Sequence, residues 1–128
     1  MTAPDGTSRE LCFLLADTEE LRARGLMGVT ELPGHDGMVF RFGRDQSAQF
    51  YMFQTVAALD VAFYDQAGSF VSATTMTPCT STVASTCPLY RAGARYSDAV
   101  ETLAGRASEL ALVSRSRLTV GGACPALG

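Results

Sequence analysis

The sequence predicts a mainly β, α+β domain, a small mixed β-barrel or sandwich carrying one or two short helices. Three observations lead there. Short apolar or alternating runs recur between clusters of Gly, Asp, Pro and Ser, which is the spacing of strands and turns. Only one segment carries both helix-start and helix-stop chemistry. The chain has 128 residues, of which 47% are hydrophobic, enough to bury a core without help from a metal. Residues 1–9 are polar and are expected to form a flexible lead-in, with residues 10–128 forming a single β-rich domain.

Taken in order, ELCFLLAD (10–17) is a near-continuous apolar run, as expected of a strand covered on both faces. In TEELRARGLMG, Asp17 is placed to cap a helix, Glu20 stands three residues on, and Glu20 and Arg24 form a favourable i,i+4 pair. Gly28 offers a left-handed stop. After the turn LPGHDG, Met38, Phe40 and Phe42 alternate with Val39 and Arg41, the period of a half-buried strand. FYMFQT (50–55) reads as the next strand, with Phe50 and Met52 on one face and Tyr51, Phe53 and Thr55 on the other. LDVAFYD sets Leu59, Val61 and Phe63 against Asp60 and Tyr64, and DQAG then turns it into SFVSATTMT as an antiparallel hairpin, with Gly68 where φ is positive. RYSDAVE is a weaker strand candidate, AGRASELAL a short helix or strand, and RLTVG a last strand.

Composition excludes several functions. The net charge is −3, and ten arginines without a lysine form no basic stripe, so nucleic acid is not an expected partner. There is no phosphate-cradling glycine loop and no nicotinamide fingerprint, so no cofactor is expected. Cys12, Cys79, Cys87 and Cys124 lack the close spacing of a zinc site, so no metal is expected either. The polar N-terminus carries no apolar signal and the chain no run long enough to span a membrane, which implies a cytoplasmic protein with free thiols. In an exported chain, Cys79 and Cys87 would be able to close the small polar loop between them. Short strand edges and apolar residues on both strand faces leave room for a homo-oligomer.

The motifs ADTEELRARGLMG, LPGHDGMVFRF, FYMFQT with LDVAFYDQAGSFV, and the late CPLY stand in the order found in the family known as domain of unknown function 192, which this chain resembles over nearly its whole length. The resemblance implies a compact β-rich domain with one groove, usually exported, whose biochemical role is mostly unassigned. The departures are informative. Val29 stands where the family has an arginine, Tyr51, Phe53 and Gln54 where it has tryptophan, lysine and asparagine, and Ala58 where it has a proline. Two cations are lost and apolar volume is gained, so the groove is expected to accept an apolar guest.

On this reading Met27, Val29, Met38, Phe40, Met52, Phe53 and Met76 line a substrate pocket, because methionines and aromatics make an adaptable apolar wall. Gln54, Tyr51 and Thr55 supply hydrogen bonds at its edge as the catalytic set. The expected partner is a hydrophobic small molecule, and the expected reaction an intramolecular cyclisation, above all a cycloaddition on a polyketide-like chain, which needs positioning and no cofactor. The alternatives are a non-catalytic carrier of such a molecule, or an interaction module of the cell envelope. His35 and Asp36 read as loop polarity, Arg22 and Arg24 as a solvated helix face, Asp60 as part of the fold, and Asp98 and Glu101 as too isolated for a role.

Overall fold

The computed structural model describes residues 1–122 and 124. Its centre is a five-stranded mixed sheet built from β1 (Phe13–Ala16), β2 (Gly37–Gln46), β4 (Leu59–Tyr64), β5 (Phe70–Met76) and β7 (Tyr96–Leu103), in the order β1-β2-β7-β4-β5. β1 and β2 are parallel and every other pair is antiparallel. A two-residue pair, β3 (Phe50–Tyr51) with β6 (Leu89–Tyr90), stands apart from it. Among the described residues the main sheet ends at two edges, β1 and β5, so it is not closed into a barrel and the fold is an open, sandwich-like α+β arrangement.

Both faces of the sheet are covered. On one, Met38, Phe40, Val61, Phe63 and Ala99 pack beneath Leu26, Met52 and the half-cystines Cys79 and Cys87. On the other, Val39, Ala62, Tyr64 and Val100 pack beneath Leu110, Leu112 and Leu118, with Met1 and Leu11 against them. This explains why β2 is less polar than a half-buried strand: Met38, Phe40 and Phe42 do alternate with Val39 and Arg41, but Val39 is itself 3% exposed because the second face is roofed over. β4 is buried at all six positions.

The helix α1 (Glu19–Arg24) is shorter than its sequence pattern. Thr18 rather than Asp17 is its N-cap, accepting from the Leu21 amide, and Gly25 with φ 49° ends it before Gly28. Gly68 performs the expected hairpin turn between β4 and β5 at φ 84°, and a Cβ there would also collide with the Leu118 carbonyl, whose residue hydrogen-bonds back to it. AGRASELAL is a series of turns, and RLTVG contributes only isolated bridges from Arg117 to Thr2 and Ser69. Thr2 also bridges Ser8, and Arg9 donates to the Glu109 carbonyl, so residues 1–9 are hydrogen-bonded to the body of the protein. RYSDAVE, the weaker strand candidate, is a strand, and it is the middle one, β7.

All four cysteines are paired, Cys12 with Cys124 and Cys79 with Cys87, which corrects the expectation of free thiols. Among the described residues no helix is long and apolar enough to cross a membrane.

Candidate functional site

FYMFQT is a strand only at its first two residues. Beyond Tyr51 the chain turns: Thr55 donates its amide to the Met52 carbonyl, and Gln54 adopts φ 56°. Left-handed backbone at a non-glycine residue needs support, and Gln54 receives it from both sides. Its amide donates to the Cys79 carbonyl and its carbonyl accepts from the Gly28 amide. Phe53 and Thr55 bridge Cys79 as well, so the loop closed by the Cys79–Cys87 disulfide props this turn from behind.

The turn forms one wall of a cleft of about 250 Å³, with the C-terminal end of α1 opposite and strands β2, β4 and β7 as its floor. Tyr51, Met52, Phe53 and Thr55 come from the turn, Gly25, Leu26 and Met27 from the end of the helix, and Phe40, Phe42, Leu59 and Glu101 from the sheet. Arg22 and Arg24 also line it. The Arg22 guanidinium lies 4.9 Å from the Phe42 ring centre and donates to the Arg41 carbonyl at 2.8 Å. Phe50 fixes the wall to the floor through edge-to-face contacts with Phe40 at 5.0 Å and Phe63 at 5.7 Å, each contributing about 1 kcal/mol beyond burial. Tyr51 and Phe53 stack on each other at the mouth, ring centres 5.9 Å apart.

Of the expected pocket residues, Met27, Phe40, Met52 and Phe53 line this cleft together. Val29, Met38 and Met76 do not. They belong to the packed core around it, with Met76 fully buried. Of the expected catalytic set, Tyr51 and Thr55 line the cleft, the Thr55 hydroxyl reaching the Phe53 carbonyl at 3.4 Å. Gln54 is exposed and outside the lining, because the left-handed turn breaks the alternation from which its position was read.

The residue that sequence reasoning passed over is Glu101. It stands on the middle strand, opposite Met38 of β2 and Val61 of β4, on the face that carries the cleft. It is 4% exposed and its carboxyl makes no hydrogen bond among the described residues. Every fully sealed polar side-chain atom among those residues has a partner, so the Glu101 carboxyl retains slight access, and Glu101 lines the cleft. Burial alone pushes its pKa up to about 8, leaving it a neutral acid at pH 7. Asp98 and Asp60 are different. Asp98 pairs with Arg41 at 3.0 Å, while Asp60 accepts from Thr75, Gly105 and Ala107 and ties β4 to β5 and to the segment after β7.

A mixed open sheet, roofed on both faces and holding an apolar cleft over a buried carboxyl on its central strand, defines a small α+β domain. The chain belongs to the family of domain of unknown function 192, described as an uncharacterized ACR, whose sequence profile matches residues 2–120. Two solved structures share the fold. One is a protein from Sinorhizobium meliloti described as a candidate transcription regulator, with TM-score 0.78 and 21% identity over 91% of this chain and 86% of that one. The other is a protein of unknown function from Novosphingobium aromaticivorans, with TM-score 0.64 and 26% identity over 80% of this chain and 70% of that one. No curated protein matches the chain.

Proposed function

We propose that the cleft takes a hydrophobic small molecule bearing a conjugated carbonyl, and that the neutral Glu101 carboxyl donates a hydrogen bond to that carbonyl at the base of the site. The observation that carries this reading is the lone carboxyl, buried and unpaired, in a cleft walled by Tyr51, Met52, Phe53, Phe40 and Phe42. A buried carboxyl without a partner costs stability, and a ligand acceptor that engages it recovers part of that cost. A neutral acid in an apolar site is also a strong donor to an oxygen that gains charge in a transition state.

The reaction that asks least of such a site is a cofactor-independent intramolecular cyclisation, of cycloaddition type, on a polyketide-like chain. The walls hold the chain in its reactive fold and Glu101 polarises the dienophile carbonyl. Tyr51 and Thr55 border the same volume, and Glu101 takes the role first given to Gln54. Nucleic acid is left out as a partner because the chain carries 10 basic against 13 acidic residues. The two disulfides favour an oxidising compartment over the cytoplasm first expected.

The test is to incubate the protein with conjugated polyene ketones and follow the appearance of an isomer of unchanged mass, together with binding by fluorescence. Glu101→Gln is expected to slow ring closure by roughly tenfold or more. Phe53→Lys is expected to weaken binding, since a lysine there must either desolvate or leave the wall. Binding without turnover would make the protein a carrier. Absence of binding for every such ligand would overturn the reading in favour of an interaction module.

A further inference from the structure

A second group of chemically able side chains lies on a different part of the molecule. The two sulfurs of Cys12 and Cys124 and a ring nitrogen of His35 all lie within 4.8 Å of one another, although the residues come from positions 12, 35 and 124 of the chain. We propose that, once the Cys12–Cys124 bond is reduced, these three side chains form a site for a thiophilic divalent cation such as Zn²⁺, so that cross-link and metal are alternative states of one cluster. The proposal is independent of the cleft.

Geometry supports it in three ways. Tetrahedral zinc, with Zn–S near 2.3 Å and Zn–N near 2.0–2.1 Å, needs its ligand atoms about 3.5–3.8 Å apart, so on reduction the two sulfurs separate from bonding distance by side-chain rotation while the ring nitrogen stays within reach. Cys12 and His35 are held together by backbone that does not depend on the disulfide. The Cys12 amide donates to Asp36 Oδ2 at 2.9 Å, and the Asp36 amide donates to the Cys12 carbonyl at 2.7 Å. The adjacent His35 amide is bonded to the Leu32 carbonyl. Finally, His35 Nδ1 lies 3.3 Å from the Pro33 carbonyl, and the tautomer that donates to this carbonyl leaves the Nε2 lone pair for a metal. A histidine oriented by a backbone carbonyl beside two cysteines is the donor set that suits zinc. Cys124 is exposed, which gives the cation a path in and leaves the fourth position to water.

The chemistry balances with a dithiol as reductant. It transfers two electrons and two protons to the Cys12–Cys124 bond and becomes a cyclic disulfide, leaving two thiols. Zn²⁺ then forms two Zn–S bonds as both thiol protons pass to solvent, and the His35 imidazole adds a ring-nitrogen lone pair. Exchange with a small-molecule disulfide, which takes up two electrons and two protons to become two thiols, re-forms the Cys12–Cys124 bond and releases the cation.

The experiment uses protein reduced under anaerobic conditions, freed of reductant and titrated with Co²⁺ and then Zn²⁺ as probes. A Cys79→Ser/Cys87→Ser background removes the other thiols, and circular dichroism reports folding. One equivalent of Co²⁺ should bind with a thiolate-to-cobalt absorption band that Zn²⁺ abolishes. The oxidised protein should show no band, and His35→Ala should weaken binding by roughly tenfold or more. If that background does not fold, reduced wild type is compared with reduced Cys12→Ser/Cys124→Ser, and the band must be confined to the former. If reduction itself costs the fold, Zn²⁺ should restore it in wild type and not in His35→Ala. A missing band, a band unaffected by His35→Ala, a band equal in the two comparison proteins, or failure of Zn²⁺ to restore the fold would each overturn the proposal.

Discussion

At the scale of single residues, Glu101 ties stability to pH and, on the proposed function, to activity. Its folded pKa of about 8 lies above the ordinary 4.5, so the folded protein holds a proton that the unfolded chain has already released between those two values. Stability contributed by that proton is complete below pH 4.5, falls as pH rises, and is fully lost once pH passes about 8. Urea denaturation at pH 5 and pH 8 is therefore expected to show wild type losing on the order of a few kcal/mol, since each pKa unit is worth about 1.4 kcal/mol. In Glu101→Gln, which keeps the shape and cannot ionise, this loss should be absent, and the variant should be the more stable protein at pH 8. Equal pH dependence in the two proteins would show that the carboxyl is solvated and that the cleft is wetter than its walls suggest. The same ionisation should make ring closure fade above pH 8, because the ionised carboxylate no longer donates.

Among the elements, what was legible in the sequence follows periodicity, and what was not follows long-range contact. The alternation of Met38, Phe40 and Phe42 and the DQAG turn identify β2 and the β4–β5 hairpin, because local pattern and final environment agree there. β7 was hard to see because its polar residues are satisfied or stranded by partners far away: Asp98 by Arg41, and Thr102 by the Asp36 carbonyl. Glu101 read as isolated for the same reason, since the strands flanking it lie some forty to sixty positions distant in the chain. The turn at Gln54 was illegible because a disulfide loop imposes it, whereas the sequence alone favours a continued strand at FYMFQT. Four of the seven expected pocket residues line the cleft all the same, because Met27, Phe40, Met52 and Phe53 are drawn together by the hydrophobic effect whatever the backbone between them does.

For the whole molecule, the two disulfides divide the labour of stability and site geometry, and this division gives opposite mutational signatures. Cys12 and Cys124 are 112 positions apart, so their bond closes nearly the whole chain, and loop-closure entropy assigns it about 5 kcal/mol. Cys79 and Cys87 are 8 positions apart, for which the same relation gives about 2.5 kcal/mol. The short loop nevertheless touches the cleft wall through Gln54, Phe53 and Thr55, while neither Cys12 nor Cys124 lines the cleft. Replacing Cys12 and Cys124 by serine should therefore lower the denaturation midpoint by more than replacing Cys79 and Cys87. Ligand affinity should respond in the reverse order, because without the short loop Gln54 is free to leave its left-handed conformation and Phe53 to swing from the wall. Paired urea titrations and ligand titrations on the two double variants check both orders at once. If stability and affinity fall in the same order, the turn is held by the packing of Phe50 and Met52 alone, and the disulfide behind it braces the fold without shaping the cleft.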